Sequence, residues 1–81
     1  MRNIDMRDLT ILADLMDGKH TSGIHGKQAK DFKLDRAVCT IYKRLKHLEA
    51  NGYVRRGFRL ANAETFYITQ EGIKIYEGAL S

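Results

Sequence analysis

The side chains best suited to chemistry in this chain gather in one window, residues 36–60. It holds Arg36, Lys43, Arg44, Lys46, Arg55, Arg56 and Arg59 against a single acid, Glu49, for a local charge of +6. Residues 1–35 balance at zero and residues 61–81 sum to −2, so this window supplies the whole net charge of +4. Thr40, Tyr42 and His47 add hydroxyl and imidazole groups between the cations. The chemistry this implies is non-covalent. Guanidinium and ammonium groups pair with backbone phosphates, and a guanidinium also matches the paired acceptors on a guanine edge.

Other chemistries have little support. No glycine-rich phosphate loop, nucleophile elbow or cluster of carboxylates is present, so no enzymatic activity is expected. Asp14 and Asp17 read as the polar face of a first helix. His20, His25 and His47 lack the spacing and cysteine partners of a zinc site, so neither a metal nor a cofactor is expected. Cys39 is the only cysteine, which rules out an intrachain disulfide and fits a reducing cytoplasm. Its predicted neighbours Arg36 and Lys43 would favour a thiolate, although a small residue at a tight interface is the plainer reading. The acids in Met1–Leu9 do not fit a secretory signal, and no apolar run is long enough to span a bilayer.

The elements that must position the window follow from apolar spacing. Eighty-one residues make one domain with a modest core. Asp5 caps a first helix over about 6–16, with Leu9, Ile11, Leu12, Leu15 and Met16 on one stripe and Gly18 as its stop. A short second helix is expected over about 26–32, turning Ala29 and Phe32 inward. The third, over about 35–51, carries Leu34, Val38, Ile41, Leu45 and Leu48 on one face, with Asp35 as N-cap and Gly52 as stop. Strands over about 53–60 and 65–69 flank a turn at 61–64, and Thr69 caps a last helix over about 70–80 with Ile73, Tyr76 and Leu80 inward. The fold class is α+β, mainly α: a three-helix bundle, a β-hairpin and a C-terminal helix.

On the third helix, Arg36, Cys39, Lys43, Lys46 and His47 fall opposite the apolar stripe, with Thr40 at its edge. Short side chains near the start and cations further along suit a helix entering the major groove. For that helix alone a solvated basic face is the plain alternative. The basic hairpin directly after it, with Arg55, Arg56 and Arg59, favours nucleic acid.

The segment Thr40-Ile41-Tyr42-Lys43-Arg44-Leu45-Lys46-His47-Leu48-Glu49-Ala50-Asn51-Gly52-Tyr53-Val54 resembles the recognition-helix region of MarR- and PadR-type winged helix-turn-helix regulators. Phe66-Tyr67-Ile68-Thr69-Gln70-Glu71-Gly72 resembles the segment that closes their wing. The resemblance covers about residues 6–80. It implies a recognition helix with Arg36, Thr40, Tyr42, Lys43 and Lys46 as contacts, and a wing with Arg55, Arg56 and Arg59. The stretch 34–39 is longer than the usual family turn, and the long extra helices through which those regulators dimerise have no counterpart here. The last helix, with Ile75 and Tyr76, is the one candidate surface for a homodimer.

The expected function is sequence-specific binding of double-stranded DNA by a small transcriptional regulator. The alternatives are a winged-helix protein-interaction module, or an RNA- or replication-associated binder.

Overall fold

The computed structural model describes residues 4–32, 37–59 and 63–80. In chain order the elements are α1 (Met6–Asp17), β1 (Lys27–Gln28), α2 (Val38–Ala50), β2 (Val54–Arg56), β3 (Thr65–Ile68) and α3 (Gln70–Leu80). Single 3-10 turns at Gly23–His25 and Ala29–Asp31 bracket β1. The class is α+β and mainly helical, as expected.

Helix α1 starts where Asp5 predicts. The Asp5 carboxylate accepts from the Asp8 backbone N–H at 3.1 Å, and the Asp8 carboxylate accepts from the Asp5 N–H at 3.2 Å. This is a reciprocal capping box with an aspartate in the third helical position. At the other end, the residue that turns left-handed is Lys19, with φ 56°, rather than Gly18. The Lys19 and His20 N–H groups close back on the carbonyls of Met16 and Leu15. A Cβ at Gly18 would lie 2.4 Å from the far end of the His20 ring, which would have to turn aside. Asp14 departs from its expected place on the polar face. It is buried and accepts from Lys27 Nζ at 2.8 Å, tying β1 to α1.

The expected second helix is instead β1 followed by one 3-10 turn. Ala29 and Phe32 are buried as predicted, because a spacing of three serves a single 3-10 turn as well as an α-helix. Extension of Lys27 and Gln28 wins because they pair antiparallel with Phe66 and Thr65. Gly26 lets the chain pass close to that strand, since a Cβ there would lie 2.3 Å from Thr65 Oγ1.

Helix α2 begins at Val38, three residues later than predicted. Ala37 is its extended N-cap and makes no side-chain cap bond. The expected cap, Asp35, and the first stripe residue, Leu34, lie outside the described residues. Val38 is 51% exposed, so the buried stripe is Ile41, Leu45 and Leu48. Gly52, at φ +80°, ends the helix as predicted, and the Gly52 and Tyr53 N–H groups bond the carbonyls of Glu49 and Leu48.

The sheet order is β1-β3-β2, all antiparallel, with Val54 opposite Ile68, Arg55 opposite Tyr67 and Arg56 opposite Phe66. The hairpin is as expected, whereas the third strand, β1, replaces part of the expected second helix. β2 is also shorter than the predicted 53–60. Beyond Arg56 the Phe58 N–H donates to Gly23 O at 2.9 Å, and Gly57 passes so near Gly23 that a Cβ would lie 2.6 Å from its carbonyl oxygen. Of the predicted turn at 61–64, residues 61 and 62 lie outside the described residues.

One apolar core joins Ile11, Leu12 and Leu15 of α1 to Ile41, Leu45 and Leu48 of α2, with Val54, Phe66, Ile68, Ala29 and Phe32. Thr69 caps α3 as expected: its Oγ1 accepts from the Gly72 N–H at 3.0 Å and donates to Gly52 O at 2.6 Å. One hydroxyl thus fixes the start of α3 on the end of α2. Ile73, Ile75 and Tyr76 are half-buried against the core. Ile75 and Tyr76 therefore give part of their apolar surface to the core rather than to a free face of α3. The side chain of Leu80 lies outside the described residues.

Candidate nucleic-acid interface

The outward face of α2 is set by its buried one. With Ile41, Leu45 and Leu48 turned in, the 3.6-residue period turns Cys39, Lys43, Lys46 and Ala50 out. All four are exposed, while Thr40 and His47 are half-buried along one border. The helix thus presents a narrow stripe of two small residues and two lysines. The Lys46 ammonium also lies 6.0 Å from the centre of the Tyr42 ring. Arg36, the expected guanine contact, lies outside the described residues and ahead of α2 as observed.

Two arginines of the basic window face inward or sideways. The Arg44 guanidinium donates through Nε to Asp8 Oδ1 at 2.8 Å and through Nη2 to Asp8 Oδ2. Asp8 is fully buried, and Asp5 lies 3.8 Å from the same guanidinium. This fork ties α2 to the start of α1, and it holds the Arg44 pKa above its ordinary value through the hydrogen bonds to Asp8.

Arg56 is the second. β-strand alternation places Val54 and Arg56 on the core-facing side of the hairpin with Phe66 and Ile68, and Arg55 on the other side with Tyr67. Arg56 there pairs with Glu49 of α2, Nε to Oε2 at 3.2 Å, and with Glu64 at the foot of β3. Glu64 also accepts from the Tyr42 hydroxyl at 2.6 Å. Tyr42 meets Phe66 edge-on, with ring centres 5.9 Å apart. Tyr42, Glu64, Arg56 and Glu49 thus form a continuous polar bridge between α2 and the hairpin. The hydrogen bond from Tyr42 lowers the Glu64 pKa, helped by the nearby Arg56 and Arg59 charges, and the same bond raises the Tyr42 pKa.

The sequence-predicted set therefore divides. Lys43 and Lys46 are exposed on α2, and Arg59 is exposed on the arm of the hairpin beyond β2. Arg55 is exposed on the opposite sheet face, where it lines an open cleft of about 360 Å³ with Thr21, Tyr67, Thr69 and Glu71. Among the described residues, no ion pair uses Lys43, Lys46, Arg55 or Arg59. Tyr42 and Arg56 are held by partners within the fold. Sequence reasoning passed over Asp8, Glu49 and Glu64 as partners. The Asp5-x-x-Asp8 spacing signals a cap, but nothing local signals that the same aspartate receives an arginine 36 positions on. Cys39 is an exposed thiol. No cluster of metal-ligating side chains and no helix long and apolar enough to cross a membrane occurs among the described residues.

No family model matches the sequence, and neither does any curated protein. Solved structures do match in shape. TubR from Bacillus megaterium pBM400 superposes with a TM-score of 0.84 at 18% identity, over 98% of this chain and 89% of that one. The DNA-binding TubR fragment from Clostridium botulinum gives 0.72 at 22% identity, over 96% and 99%. SSV1 F-93 gives 0.64 at 20% identity, over 98% and 86%. The chain has a winged-helix fold, with the β2–β3 hairpin as its wing.

Proposed function

We propose that the chain binds double-stranded DNA sequence-specifically, as a small transcriptional regulator, with α2 in the major groove and the wing along the backbone. The observation that carries this reading is the exposed stripe on α2, whose two lysines enter no ion pair among the described residues. Lys43 and Lys46 project from an exposed surface whose other members, Cys39 and Ala50, are small enough to let the helix backbone approach a groove floor. The DNA-binding TubR fragment, similar in fold along nearly its whole length, supports the same reading.

Lys43, Lys46 and Arg59 are the phosphate contacts in this proposal, and Arg36 and Thr40 the base-reading positions near the start of the helix. His47 borders the stripe, and Arg55 reaches only flanking backbone. Tyr42 and Arg56 serve to position the wing. The narrower MarR- or PadR-type assignment rests on the two sequence motifs. Homodimerisation would use the part of Ile75 and Tyr76 that the core leaves open.

The test is selection of bound sites from a random duplex library, then fluorescence anisotropy on the selected duplex across a salt series. Three or four phosphate contacts per protomer give a log–log salt slope of about −3 to −4, roughly doubled for a bound dimer. Lys43→Ala should flatten the slope by about one and weaken all sequences alike. Absence of binding to any duplex at low salt would sink the proposal. A second reading, a protein-docking module, draws on Ile24 and Phe58, which are 72% and 67% exposed. Heparin displaces a phosphate binder and spares an apolar docking contact, which separates the two.

A further inference from the structure

We infer that Glu64 is a specificity-determining positioning residue, one carboxylate that locks the wing to the recognition helix and withholds Arg56 from DNA phosphates. The inference rests on the DNA-binding reading above and names what that reading leaves open: why an acid sits between two DNA-facing elements.

The geometry is particular. One oxygen of Glu64 accepts from the Tyr42 hydroxyl of α2 at 2.6 Å, and the other receives Nη1 of Arg56 from β2. Glu49, near the end of α2, takes Nε of the same guanidinium. Arg56 is thus bracketed by two carboxylates, which occupy the donor edges that a phosphate would otherwise take. An acid on a DNA-facing surface repels the backbone, so its presence costs affinity for every duplex equally. A fixed angle between helix and wing is what that cost provides, because base edges and flanking backbone are then met together only on a duplex of matching shape. Without the lock, the wing settles on backbone independently of the helix, and Arg56 adds a phosphate contact that carries no sequence information.

The two roles are separable. Tyr42→Phe removes the hydroxyl link from α2 to Glu64 and leaves Arg56 paired with both acids, its tie to Glu49 of α2 included. Glu49→Gln with Glu64→Gln frees Arg56, while a glutamine at 64 still offers an oxygen to Tyr42. Glu64→Ala removes the Tyr42 link and one of the two acids on Arg56, leaving Glu49 as its remaining partner. Affinity is measured by anisotropy for the duplex recovered by selection and for a random-sequence duplex of equal length, each across a salt series. Circular dichroism confirms that every variant is folded.

Expected for Glu64→Ala is tighter binding to the random duplex together with a loss of discrimination of about tenfold, the size of one charge-assisted hydrogen bond. Tyr42→Phe should lose discrimination with an unchanged salt slope, and the double glutamine variant should steepen the slope by about one. A purely structural role would weaken both duplexes together and leave the slopes alone, and that result overturns the inference. Unchanged discrimination in both Glu64→Ala and Tyr42→Phe overturns it too, while the DNA-binding reading stands. Wild-type protein that binds no duplex overturns both.

Discussion

Removal of Arg44 tests whether a cation of the basic window belongs to the fold or to the DNA surface. Apart from the Asp5 N–H at the helix cap, the Arg44 fork is the only partner seen on the Asp8 carboxylate among the described residues, and Asp8 is fully buried while the Arg44 side chain keeps 24% exposure. Breaking a buried pair by deleting one partner costs about 3–5 kcal/mol, because the remaining charge is stranded. The lower end applies here, since Asp8 still accepts from the Asp5 N–H. A domain of this size is stable by roughly 4–12 kcal/mol, so Arg44→Ala should stay folded in the cold with little margin. At roughly 4–8 °C per kcal/mol, its thermal midpoint should fall by about 12–24 °C. Thermal and urea unfolding followed by circular dichroism give the number. The control is Asp8→Asn with Arg44→Met, which removes both charges at similar volume and should recover at least half of the loss. Where Arg44→Ala remains folded, its salt slope for DNA should match wild type. A loss under about 1 kcal/mol, or a flattened slope in folded protein, would refute the structural role.

Three further outcomes follow from the same contacts. Asp5, held down mainly by the hydrogen bond from the Asp8 N–H, and Glu64, held down mainly by Tyr42, both have lowered pKa values. Their contribution to stability is complete above their ordinary values of 3.8 and 4.5 and is lost as pH falls through the lowered ones. Tyr42 is raised and contributes below its ordinary 10.0, so alkaline titration at 295 nm should show one late tyrosine that Glu64→Gln advances. Among glycines, Gly72→Ala should destabilise more than Gly52→Ala. A Cβ at 72 would lie 2.1 Å from Tyr53 O, whereas Gly52 has open space around it and its change costs only about 1 kcal/mol of left-handed backbone. Equal urea midpoints would contradict that order.

Much of the fold was legible because it rests on local rules. Ile41, Leu45 and Leu48 recur at helical spacing, Gly52 supplies the left-handed stop, and Thr69 caps the last helix through its own hydroxyl. The failures occur where tertiary pairing overrode a local pattern. Lys27 and Gln28 extend because β3 has a free edge, and only the placement of Phe66 and Thr65 reveals that edge. Val38 continues the apolar spacing in sequence yet stands exposed at the first turn of the helix. Within the site, the exposed lysines of α2 could be read from periodicity. The ties on Arg44 and Arg56 could not, because their acids lie on α1, at the end of α2 and at the foot of β3. A window charge of +6 is correct as a sum and misleading as a surface.

The division between arginine and lysine has a physical basis. Arg44 binds α2 to α1, Arg56 binds the wing to α2 through Glu49, and the Asp14–Lys27 pair binds β1 to α1, each joining elements that share a small apolar core. A guanidinium has a planar fork that can serve two acceptors in fixed directions, so it suits positions where the angle between elements matters. Lysine is a point charge on a flexible stem, which suits Lys43 and Lys46, whose partners would be phosphates of varying position. Lys27 is the instructive exception: its ammonium is held between Asp14 and the Phe32 ring, 5.2 Å from the ring centre, so surrounding groups supply the direction its own geometry lacks. The cations that hold the domain together are therefore met by groups already placed by the fold, and those left on the outer face of α2 are the ones with reach to spare.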